Sequence, residues 1–131
     1  MIVMKRNTAA TMLLFWGTTL AGCSATPIKP PAPQSVFQQT SEMAQKAALD
    51  AMVVNGFAIT KAEPLYVEGY RLRTHGWHCS SGGETAGIWL EQTGPAQTRV
   101  WISTATSSFG RKCQKDWTGE ILAEMGKVLG K

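Results

Sequence analysis

TAGIWLEQ (residues 85–92) and TRVWISTAT (98–106), separated by TGPAQ (93–97), read as the two arms of a hairpin. Both arms are rich in β-branched and aromatic residues, and Gly94-Pro95 supplies turn chemistry between them. If paired residue numbers sum to 190, a five-residue loop spans Thr93 to Gln97. Ile88 then opposes Ile102 and Leu90 opposes Val100 on one face, while Trp89 opposes Trp101 and Glu91 opposes Arg99 on the other. Side chains alternate between faces along a strand, so a slip of one residue would mix the two faces and break both the aromatic pair and the charge pair. The hairpin therefore predicts a sheet with one apolar face to be covered and one aromatic face.

Upstream, Ser35 with Gln38 three residues on has the spacing of a capping box and predicts a helix start. Ala44, Ala47, Ala48, Ala51 and Met52 recur at helical spacing on one face. Asn55-Gly56 ends that helix, with Gly56 suited to the left-handed position. Phe57–Thr60 alternates as a strand until Pro64 interrupts, and Leu65–Arg73 gives a second strand containing Gly69. Ser80–Gly83 reads as a glycine-rich loop. Downstream of the hairpin, Trp117, Ile121, Met125 and Val128 form a core-facing stripe on a helix from about Lys112 to Leu129. The predicted fold class is α+β: an antiparallel sheet of about four strands with an N-terminal and a C-terminal helix packed on one face.

The first 22 residues have a different character. Lys5 and Arg6 precede an apolar run from Ala9 to Leu20, followed by Leu20-Ala21-Gly22-Cys23. The run is about a dozen residues, too short for a membrane span of roughly 20. This pattern resembles the signal peptide and lipobox of bacterial lipoproteins. The resemblance implies cleavage before Cys23, a diacylglycerol thioether on its thiol with palmitate on its freed amine, and a lipid bilayer as the first partner. Ser24 after the cysteine implies the outer membrane, with the domain facing the periplasm. Residues 23–34 hold Pro27, Pro30, Pro31 and Pro33 and are expected to be a tether. At roughly 3.1 Å per residue, an extended polyproline-like spacer from Ser24 to Gln34 would reach about 30 Å. Residues 35–131 then form one small domain. Its helix–sheet–helix order from Ala47 onward also resembles several small outer-membrane lipoproteins and the helix-grip domains of BamC-type lipoproteins, a pattern that lacks the Cys79 loop.

The formal charge of +4 includes Lys5 and Arg6; without them 11 basic residues face nine acidic ones. These are scattered, not gathered into the basic face that counterion displacement needs, so no nucleic-acid partner is expected. In an oxidising compartment Cys79 and Cys113 are expected to pair, tying the loop after the second strand to the final helix. Closing that loop contributes about 3–4 kcal/mol on the chain-entropy model. The disulfide consumes both thiolates, and His75 and His78, three apart, point to opposite sides of an extended chain. No metal or other cofactor is therefore expected. The chain carries no Gly-x-Ser-x-Gly, P-loop or His-Glu-x-x-His pattern, so no catalytic residue is assigned.

Tryptophan carries the remaining signal. Trp89 and Trp101 beside Tyr66 or Tyr70 would make an amphipathic patch on the uncovered sheet face, suited to a protein partner or a glycan. The plainer reading is a cross-strand pair that stabilises a small sheet, shielded by the Cys79 loop. The sequence thus predicts a non-catalytic binding or assembly module of the cell envelope, with a peptidoglycan or glycan binder as alternative. A hydrolase or metal protein using His75 and His78 is third.

Overall fold

A computed structural model describes residues 26–72, 83–105 and 115–130. The elements in chain order are β1 (Ser35–Phe37), α1 (Ser41–Val54), β2 (Ala58–Glu63), β3 (Tyr66–Leu72), β4 (Gly83–Gly94), β5 (Gln97–Thr104) and α2 (Thr118–Leu129). The five strands form an antiparallel sheet in the order β1-β5-β4-β3-β2, so β4 lies at its centre. The fold is α+β, with five strands where about four are expected. The extra one is β1. Ser35–Phe37, which the capping-box spacing assigned to a helix start, instead pairs with the free edge of β5, Val36 opposite Arg99.

The true cap of α1 lies five residues later. Thr40 adopts extended backbone, and its Oγ1 accepts from the Met43 N–H at 3.3 Å. The helix stops where expected. Asn55 Nδ2 donates to the Ala51 carbonyl, and Gly56 turns the chain at φ 84°, a conformation that residues with a Cβ rarely adopt. Strand β2 runs on past Thr60 to Glu63, and Pro64-Leu65 makes the turn into β3.

The hairpin has the expected register: Ile88↔Ile102, Leu90↔Val100, Trp89↔Trp101 and Glu91↔Arg99. Its loop is shorter than five residues. A bulge between Gln92 and Gly94 absorbs Thr93, Gly94 pairs with Gln97, and Pro95-Ala96 alone make the turn.

Both helices cover the Ile88/Ile102 face. Ala44, Ala47, Ala48, Ala51 and Met52 of α1 are fully buried there, against Phe57, Val67, Ile88 and Ile102. Four alanines let the helix lie close to the sheet, as the sequence implies. On α2, Ile121, Met125 and Leu129 are buried at a spacing of four. Trp117 is only partly buried and Val128 is 51% exposed, so Leu129 takes the place in the stripe that was expected of Val128.

A candidate recognition surface on the far face of the sheet

Residues 66, 68 and 70 of β3, 85, 87 and 89 of β4, and 99 and 101 of β5 alternate with the core positions and so share the face away from the helices. The chain's own N-terminal segment lies on this face. Pro27 is buried, and it stands above Gly87 at the centre of the sheet. A Cβ at position 87 would be 3.0 Å from Pro27 Cβ, 3.0 Å from Tyr66 Oη and 3.1 Å from Trp89 Cη2. Three groups thus converge where glycine leaves room. Two residues on, Lys29 Nζ sits 4.0 Å above the Trp101 ring. The Gln34 side chain then clamps the backbone of Ile102, Nε2 donating to its carbonyl at 3.0 Å and Oε1 accepting from its N–H at 2.8 Å. The proline-rich stretch is therefore no free spacer from Pro27 onward.

This segment changes the aromatic patch. Trp101, expected on an open face, is only 6% exposed. The N-terminal segment lies over it, with Lys29 above the ring, where the cation is attracted to the ring face. Trp89, Tyr66 and Tyr70 remain half-buried. The Tyr66 and Trp89 rings lie 5.1 Å apart at 36°, a tilted contact. Tyr66 donates to Glu68 Oε1 at 2.7 Å, and Thr60 Oγ1 lies 3.2 Å from Glu68 Oε2. Burial, then the bond to Glu68, pushes the Tyr66 hydroxyl well above the usual tyrosine range. Leu72, in line with Tyr70 on the same face, is 66% exposed.

A second cluster lies on the helical side, at the end of the sheet where α2 begins. Trp117 Nε1 donates to Glu84 Oε2, and the Lys115 N–H donates to Glu84 Oε1, both at 3.2 Å. Arg71 and Lys115 lie 4.2 and 4.3 Å from the Trp117 ring centre, and Phe57 meets it edge-on at 5.7 Å. Lys115 also pairs with Glu120 at 2.8 Å, and that hydrogen bond holds the Glu120 carboxyl below its usual range. The cluster ties β3, β4 and α2 together. Sequence reasoning placed Trp117 in the apolar stripe and missed this role. The available signal was its indole N–H, which needs an acceptor when partly buried.

Cys23, His75, Trp77, His78, Cys79 and Cys113 lie outside the described residues, so the lipidation site, the disulfide and the histidine pair remain expectations from sequence. Among the described residues no three His, Cys, Asp or Glu side chains gather as a metal site. No helix among them is long and apolar enough to cross a membrane. An apolar groove of about 420 Å³ between β1 and α2, lined by Phe37, Leu122, Ala123 and Gly126, brings no titratable cluster with it. No protein-family model matches the chain, and no curated protein matches it.

Proposed function

We propose that the protein is a non-catalytic recognition module of the bacterial envelope, lipid-anchored to the outer membrane through Cys23, with its binding surface at Tyr66, Tyr70 and Trp89. The observation that carries this reading is the half-covered aromatic face. The segment leading from Cys23 roofs Trp101 and Gly87 yet leaves the other three rings partly in water, on a rigid sheet. Half-exposed Trp and Tyr rings present apolar area and a polar tip at little entropic cost, which is why they recur where proteins meet partners. The lipobox supports the anchor. The lack of any catalytic pattern in the sequence supports a binding role.

Site-specific photocrosslinking in intact cells tests the surface. A photoreactive residue at position 70 or 72 should give adducts with an envelope constituent, and one at Val53, exposed on α1, should give none. Adducts from Val53 alone would move the binding surface to the helices. Palmitate should label the wild type and not Cys23→Ser; equal labelling of both would remove the anchor. Adducts made of peptidoglycan strands would assign the face to a glycan.

A further inference from the structure

We infer that the constituent facing Tyr66, Tyr70 and Trp89 is the bilayer interface itself, onto which the anchor draws the far face of the sheet. The inference rests on the lipid-anchored reading above and adds an orientation to it.

Chain length limits which side of the domain can meet the bilayer. Pro27 is fixed on the middle strand, buried above Gly87. Cys23 is four residues earlier. Four residues span at most about 14 Å, and an acylated cysteine sits at headgroup level. From the sheet centre to its edge is two strand spacings, about 10 Å. The helical layer beyond adds about 10 Å. For the helices to rest on the bilayer, the chain would have to cover roughly 20 Å around the edge, more than it has. Of the two faces of the domain, the far one is therefore the one that the anchor can bring to the membrane; the sheet edge, about 10 Å away, is within the same reach, and the chemistry of the far face decides between them.

The chemistry of that face agrees. Tyr66, Tyr70 and Trp89 are partly exposed rings, and Leu72 projects beside them. Tryptophan and tyrosine favour the membrane–water boundary because each has an apolar body and a polar tip. Among the described residues, the charges on this face balance. Register places Lys61 and Arg99 there, with Lys29 above Trp101, against Glu63, Glu68 and Glu91. Such a face suits a zwitterionic interface and has no surplus charge with which to attract anionic lipid.

The test uses the full acylated chain, its lipid mass confirmed on Cys23, in vesicles of zwitterionic phospholipid brominated near the glycerol end of the acyl chains. Bromine quenches only nearby indoles. The expected result is a loss of tryptophan emission that Trp89→Phe abolishes and that exposed Leu72→Asp diminishes. Insertion of ten Gly/Ser residues between Ser24 and Thr26 should weaken the quenching by lengthening the leash. A correctly acylated, folded chain with unquenched Trp89 overturns the orientation and leaves the recognition reading intact. Quenching that requires anionic lipid also overturns it. Absence of acyl mass on Cys23 removes the anchor, and both readings fall together.

Discussion

Replacing Gly87 by alanine asks whether the N-terminal segment is part of the fold, and the sign of the effect carries the answer. A methyl at position 87 would stand 3.0 Å from Pro27 Cβ, about half an ångström inside comfortable carbon–carbon contact. The other two neighbours, Tyr66 Oη and Trp89 Cη2, are far ends of side chains that need to give by only a few tenths of an ångström, a shift that keeps the Tyr66–Glu68 bond. The pyrrolidine ring cannot give in this way, so the segment must lift. Two effects oppose each other. Glycine inside a strand is less favourable than alanine by roughly 0.5–1 kcal/mol. Overpacking a filled site costs about 1–3 kcal/mol, and lifting the segment also forfeits the Lys29–Trp101 contact, about 0.5–1 kcal/mol. In a chain running from Ser24, the net expectation is a destabilisation of about 1–2 kcal/mol. In a chain beginning at Pro30, with no proline above the strand, the same substitution should be neutral or stabilising by up to about 0.5 kcal/mol. Urea denaturation followed by tryptophan emission measures both. Iodide quenching should rise with Gly87→Ala in the longer chain only, as Trp101 is uncovered. Equal destabilisation of the two chains would mean that Pro27 does not occupy the face.

Three further substitutions probe the rest of the structure. Glu84→Ala strips the acceptor from two part-buried donors, Trp117 Nε1 and the Lys115 N–H; leaving them unpaired should cost about 2–4 kcal/mol by denaturation, with Glu84→Gln markedly milder. Ile102→Ala empties a position that is 1% exposed in the centre of the core, and should cost about 2–5 kcal/mol; Val128→Ala on the exposed side of α2 should stay within about 0.5 kcal/mol. Tyr66 holds its proton more tightly folded than unfolded, so its contribution is fully present below the unfolded value near 10 and is lost as pH rises above it. Tyr66→Phe should therefore be less stable than wild type at neutral pH yet lose stability less steeply above about pH 10; parallel curves would place the hydroxyl in water.

Much of the sheet could be read because its constraints are local and redundant. Ile88, Leu90, Val100 and Ile102 fix one face, Trp89, Trp101, Glu91 and Arg99 the other, and only one register satisfies all of them. The small face of α1 was equally plain, since five residues at helical spacing agree. The start of that helix was not. Ser35 and Gln38 have capping-box spacing, and so the pattern fits, but Thr40 two residues past Gln38 is a cap as well, and only the free edge of β5 makes Ser35–Phe37 a strand. Three residues carry too little periodicity to announce a strand. Likewise Val128 and Leu129 are adjacent, both apolar, and a rotation of α2 by part of a turn decides which is buried.

The covering of the aromatic face shows what composition can and cannot fix. Four prolines from Pro27 to Pro33 predict an extended chain, and the chain bends at Pro31, Ala32 and Gln34; composition says nothing about what it lies against. The information sat some 60 residues away, in β4. Gly87 stands in the interior of the central strand, next to bulky Ile88 and Trp89, and a glycine inside a strand marks a place where another group comes close. The Trp89–Trp101 pair flanks that opening, so a proline ring seated on Gly87 divides the pair unequally and leaves Trp89 wetter than Trp101. The same contact lies four residues after Cys23. One missing side chain in the central strand thus decides how much of the aromatic face stays open and, under the proposed acylation of Cys23, how far from the membrane it would be held.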